Sequence, residues 1–93
     1  MSDISVTDNT ERHRFEITSD GKRAGFAEYV LSDGGIELTH TVVADAFEGQ
    51  GIGGKLVKSA LDQARERGLT VTPTCPFVKS YIERHPDYAD LLA

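Results

Sequence analysis

The chain has 93 residues, a formal net charge of −5 and 39% apolar residues, the size of one domain with a modest core. Its acidic balance argues against a nucleic-acid partner, which requires clustered Lys and Arg to displace counterions. No apolar run approaches the roughly 20 residues of a membrane-spanning helix, so no membrane partner is expected.

Met1-Ser2-Asp3 reads as a plain cytosolic start, and residues 1–10 are polar enough to be expected disordered. His13 to Thr18 alternates, with Phe15 and Ile17 on one face, and reads as a strand. Ser19-Asp20-Gly21 is a turn, and Lys22 to Leu31 a second strand. There Phe26 and Val30 share one parity while Tyr29 and Leu31 share the other. A bulge near Gly25, or burial of both faces, would reconcile them. Asp33-Gly34-Gly35 is a hairpin turn. Gly35 to Val43 follows as a third strand, with Ile36, Leu38, His40 and Val42 on one side.

The period then changes. Ile52, Leu56, Val57, Ala60, Leu61 and Ala64 recur at helical spacing, and Gly68 suits the position just past the helix end. Leu69 to Thr72 is a short strand, expected to be buried and parallel to its neighbour because a helical crossover returns it. Pro76 suits a helix first turn capped by Thr74 or Cys75. Phe77, Val78, Tyr81 and Ile82 give that helix an apolar side, and His85-Pro86 ends it. Tyr88, Leu91 and Leu92 are expected to dock the tail. Cys75 is the single cysteine, so no internal disulfide can form, which fits a reducing, cytoplasmic setting.

Between the third strand and the first helix lies Glu48-Gly49-Gln50-Gly51-Ile52-Gly53-Gly54-Lys55-Leu56. A glycine-rich turn at a helix start exposes backbone N–H groups at the positive end of the helix dipole. This is a site for phosphate or pyrophosphate. Gly49-x-Gly51-x-x-Gly54 fits a dinucleotide fingerprint. The acid wanted about 20 residues on is missing, since Thr70 and Val71 stand there, and too little chain remains for a doubly wound sheet. Gly49-x-x-x-x-Gly54-Lys55 fits most of a P-loop, but Leu56 stands where a magnesium-binding hydroxyl is needed.

The stretch from Val42 to Leu56 resembles the cofactor motif of the GNAT acetyltransferases, Gln/Arg-x-x-Gly-x-Gly/Ala. Gly51 and Gly53 match its small positions, and Glu48 departs at the Gln/Arg position. Pro73-Thr74-Cys75-Pro76-Phe77-Val78-Lys79-Ser80-Tyr81, with His40-Thr41, resembles a very small NATD-type, single-domain group of that family. Of the family's Asn-x-x-Ala-x-x-x-Tyr pattern, the positions of Thr74, Phe77 and Tyr81 retain only the tyrosine. The resemblance implies one minimal α/β (α+β) domain over residues 1–93, a mixed sheet in the order β-β-β-α-β-α. The two helices usually inserted after the first strand would be absent, because Ser19-Asp20-Gly21 leaves no room for them.

The resemblance further implies acetyl-coenzyme A as cofactor and an amine, on a small molecule or a protein, as acceptor. Gln50, Gly51, Gly53, Gly54 and Lys55 would hold the phosphates. Lysine near a helix start is unfavourable to the dipole unless an anion is there. The backbone at Thr41 and Val43 would pair with the pantetheine arm. Cys75 would line the thioester or, as a helix-N-terminal thiol, serve as nucleophile. Tyr81 would protonate the departing thiolate. His40 is the candidate base, with Glu37 weaker, although a lone histidine among apolar neighbours is commonly a core residue. The three histidines lack ligand spacing, so no metal is expected. A monomer or weak dimer is expected. A coenzyme A-binding module without efficient chemistry is the alternative function.

Overall fold

Asp20 and Gly21 both take positive φ, 52° and 81°, the backbone of a tight hairpin turn whose twist matches right-twisted strands. Around that turn the computed structural model, which describes residues 3–93, builds a five-stranded sheet. The strands are β1 (Ile4–Asn9), β2 (Arg14–Ser19), β3 (Lys22–Ser32), β4 (Gly35–Val43) and β5 (Thr70–Pro73). They lie in chain order across the sheet. The first four are antiparallel, and β5 returns parallel to β4 through helix α1 (Ile52–Glu66). Helix α2 (Pro76–Arg84) and a 3-10 segment at Pro86–Leu91 complete the chain.

The architecture is a mixed α+β sheet with few helices, and it contains a strand that the polarity of residues 1–10 concealed. Ile4–Asn9 pairs along all of β2, where disorder was expected. Ile4 and Val6 pack on the core, and Asp8 anchors the strand. Tyr29 Oη donates to Asp8 Oδ1 at 2.5 Å, and Arg67 Nη2 lies 2.7 Å from Asp8 Oδ2. Burial and the Asp8 carboxylate push the Tyr29 phenol up to about 12. Met1 and Ser2 fall outside the described residues. Because the first strand is β1, the site for inserted helices lies between β1 and β2. There Thr10–His13 also leaves no room for them.

One continuous core forms between the sheet and its two helices. Phe15, Ile17, Ala27, Tyr29, Ile36 and Leu38 meet the α1 residues Ile52, Leu56, Val57, Ala60, Leu61 and Ala64. The six α1 residues at helical spacing are all buried, and Gly68 follows with φ 68°. The opposite face carries Arg14, stacked 4.4 Å over the Phe26 ring, with Glu16, Glu28 and Val30. Val71 is fully buried, but Thr70 and Thr72 are exposed, so only one face of β5 is covered. Leu92 leaves its side chain 42% exposed, contrary to expectation, while its backbone bridges to Val71 along the outer edge of β5.

Two register breaks shape the sheet. One lies between Ile17 and Thr18 of β2, opposite Gly25 and Arg23, so the irregularity expected near Gly25 is present. The other was not foreseen. Glu28 pairs with His40 but Tyr29 with Leu38, leaving Thr39 as an extra residue in β4. A bulge of this kind reverses the in-out alternation beyond it.

Candidate active site

The bulge at Thr39 divides β4. Before it, Gly35–Leu38 is flanked by β3 and by β5. After it, Thr39–Val43 keeps β3 on one side but, among the described residues, has no strand on the other, because β5 ends at Pro73. Cys75 N–H donates to Leu38 O at 2.9 Å and marks the fork where the chain leaves for α2. A forked edge presents unpaired backbone donors and acceptors to an extended ligand.

The same bulge reassigns the side chains of β4. His40, expected beside Ile36 and Leu38, instead leaves the core face. Its side chain is 73% exposed, with Nδ1 3.8 Å from Glu28 Oε1. Val42 is likewise 44% exposed. Thr41 turns inward, and its Oγ1 lies 3.5 Å from Cys75 Sγ. Glu37 accepts a hydrogen bond from Thr74 Oγ1 beside the fork.

Cys75 caps α2 from an extended conformation, with Pro76 in the first helical turn. Burial is the largest influence on its thiol and acts to raise the pKa. The hydrogen bond between the thiol and Thr41 Oγ1 and the backbone hydrogen bonds at Val78, Phe77 and Thr41 act together in the other direction and leave the pKa below the usual thiol value.

At the far end of the fork, a 3-10 turn at Asp45–Phe47 leads into the glycine loop. Gly49 and Gly51 adopt φ 81° and 73°, a region that glycine enters without a side-chain penalty. Gly51 caps α1, and the first helical hydrogen bond runs from Lys55 N–H to Gly51 O at 3.1 Å. The amides of Ile52, Gly53 and Gly54 precede it and have no helical acceptor. These three residues line a cavity of about 230 Å³ together with Val43, Phe47, Glu48, Gly49, Gly51 and Phe77.

The structure thus brings Val43, Gly51, Gly53 and Gly54 to one cavity, and Thr41 and Cys75 to one contact beside it. Gln50 and Lys55 are exposed on the loop and the first turn of α1, outside the cavity lining. Tyr81 is buried and keeps other company. Its ring stacks 4.0 Å from His85 and lies 3.8 Å from where a Cβ on Gly54 would stand. Burial raises its phenol, with Lys58, Asp62 and Arg84 as the charges around it. Glu48 is among the residues that line the cavity. Phe47 and Phe77 were not foreseen there. Phe77, read as part of the apolar side of α2, is 40% exposed and turned toward Gly53. Its i, i+4 spacing to Tyr81, which puts both on the α1-facing side, was the available signal.

A five-stranded mixed sheet whose parallel pair forks, with a glycine-rich helix start on one side of the fork and a thiol where the strands part, is the arrangement of a GNAT fold. The chain belongs to that family. Residues 14–91 match the family described as GCN5-related N-acetyl-transferase. Protein NATD1 of Xenopus tropicalis is 32% identical over 87 residues, covering 91% of this chain and 80% of that protein. Human Protein NATD1 is 32% identical over 85 residues, covering 89% and 75%. The solution structure of a Staphylococcus aureus protein described as GCN5-like superposes with a TM-score of 0.74 at 30% identity, covering all of this chain and 91% of that one. The ribosomal-protein-S18-alanine N-acetyltransferase of Escherichia coli shares the fold, with a TM-score of 0.68 at 19% identity over 91% of this chain and 76% of that one.

Proposed function

We propose that this protein transfers an acetyl group from acetyl-coenzyme A to an amine, by direct transfer, at the Thr41–Cys75 end of the fork. The observation that carries the reading is the unpaired half of β4, which connects the free amides of α1 to the buried thiol. The residues present fit the cofactor. The amides of Ile52, Gly53 and Gly54 suit a pyrophosphate, with Gln50 and Lys55 at hand on the same loop and turn. Thr39–Val43 offers backbone groups to the amides of a pantetheine arm. When bound, the cofactor supplies an activated thioester.

The chain's own residues then divide the remaining work. Thr41 and Cys75 shape the apex, holding the thioester carbonyl near a fixed, water-poor wall. His40 on the outer face takes the proton of the acceptor ammonium. Tyr81, a phenol that burial raises above its ordinary value, holds the proton needed by the departing thiol. The acceptor is an amine on a small molecule or a protein, and a single copy of the chain, monomeric or weakly dimeric, contains every residue invoked. The unpaired thiol of Cys75 suits a reducing, cytoplasmic setting.

One observation favours the second reading, a coenzyme A-binding module with little turnover: His40 is largely exposed and is held only by a 3.8 Å approach to Glu28. The deciding experiment is calorimetry with acetyl-coenzyme A, followed by thiol release across a panel of amines. Tight binding with thiol release supports the enzyme, whereas tight binding without release supports the module. Under direct transfer Cys75→Ser retains turnover and the protein carries no acetyl group. An acetyl adduct on Cys75 that an amine removes would establish the covalent route instead.

A further inference from the structure

A methyl group built on Gly53 would stand 2.8 Å from Phe77 Cζ and 3.3 Å from Phe77 Cε1, and 3.4 Å from Val43 Cγ2. Gly53 therefore provides the seat for the Phe77 ring, and the side chains from α2 and β4 meet over it. That meeting point is part of the cavity wall, and its two side chains stand two residues along the chain from Thr41 on β4 and from Cys75 at the start of α2. Phe77 is 40% exposed, so its side chain is only partly enclosed. Val78, its neighbour in the same helical turn, is fully buried, and the core packing of α2 runs through Val78 and Ile82 rather than Phe77.

We infer that Phe77 is a specificity-determining residue of the cofactor passage: in the free protein its ring fills the path of the thioester arm, and only ligands that carry the arm displace it. The inference rests on reading the fork as a coenzyme A site. Its physical basis is self-competition. A binding-competent state that is populated only in part weakens apparent affinity by that fraction. Ligands that stop at the α1 amides leave the ring seated. Ligands that continue toward Cys75 must unseat it from Gly53 and Val43. The exposed edge of Phe77 gives the ring an outlet to solvent without disturbing Val78 or Ile82.

Three probes separate the parts of the site: 3′,5′-ADP for the phosphate end, pantetheine for the arm, and coenzyme A for both. In the free protein, NMR should show a contact between the Phe77 ring protons and Gly53 Hα. The contact should persist in saturating 3′,5′-ADP and vanish with coenzyme A. Phe77→Ala should bind coenzyme A and pantetheine more tightly, by about threefold or more, with affinity for 3′,5′-ADP unchanged. Phe77→Tyr, which keeps the ring, should behave as wild type, and Phe77→Leu should fall between. A ring contact that survives in the coenzyme A complex, or a Phe77→Ala protein that binds coenzyme A no more tightly, makes the ring a fixed wall and overturns the inference alone. Wild-type protein that binds neither coenzyme A nor 3′,5′-ADP overturns the cofactor reading, and this inference with it.

Discussion

The two halves of β4 have the same strand chemistry and different neighbours. Gly35–Leu38 is held by β3 and β5, and Ile36 and Leu38 are almost fully buried. Thr39–Val43 is held by β3 alone, with His40 and Val42 exposed and Thr41 and Val43 turned to the fork. One extra residue at Thr39 and the early end of β5 at Pro73 make the difference. The lesson is that a strand can be scaffold at one end and ligand partner at the other, and that a bulge marks the changeover.

The largest contrast to test is between Leu38 and the glycine loop. Leu38→Ala removes a side chain that is 1% exposed and should cost about 2–5 kcal/mol of stability in denaturant unfolding. Gly51→Val should instead abolish acetyl-coenzyme A binding in calorimetry. It places a β-branched side chain at φ 73° in the loop that presents the amides. Gly53→Val should do the same by holding the phosphate off the loop backbone. If Gly51→Val binds normally, the loop is not the phosphate site.

A second effect belongs to the scaffold. The Tyr29 phenol is raised from 10.0 to about 12, first by burial and then by Asp8. A raised folded value favours the neutral phenol. Its contribution is complete below about pH 10 and is lost as pH rises through about 12. The shift corresponds to about 3 kcal/mol. Alkaline unfolding curves should therefore flatten between those limits in Tyr29→Phe, while cofactor affinity at neutral pH stays unchanged.

A third effect is confined to turnover. Tyr81→Phe keeps the ring packing on His85 and removes the hydroxyl, and should lower turnover about 10- to 100-fold at unchanged cofactor affinity. His40→Gln should lower turnover to a similar extent. If both variants turn over at the wild-type rate, both residues are structural. The smallest effect is expected at Val42, 44% exposed on the outer face, where Val42→Ala should change stability by no more than about 0.5 kcal/mol.

Most of the scaffold was legible in the sequence because its signals are local. The helical spacing from Ile52 to Ala64, the Asp20-Gly21 turn and Gly68 each encode one backbone state. The glycine loop was legible for the same reason, because positive φ at Gly49 and Gly51 leaves a mark in residue type. Strand β1 was not legible. Its order comes from Asp8 meeting Tyr29 and Arg67, partners 21 and 59 residues away along the chain. The bulge at Thr39 left no mark either, since threonine is at home in any strand, and so His40 was given the parity of Leu38. Phe77 read as core because apolar spacing cannot distinguish a buried face from the wall of a cleft.

The central claim is that the cofactor runs from the amides of α1 along the open half of β4. Amide chemical-shift mapping on titration with acetyl-coenzyme A tests it most directly. The account predicts the largest changes at Ile52–Lys55 and Thr39–Val43, a smaller set at Cys75–Val78, and little at Gly35–Leu38 or in β1 and β2. Saturable changes centred on the outer sheet face around Arg14 and Phe26, or none at all in Thr39–Val43, would contradict it.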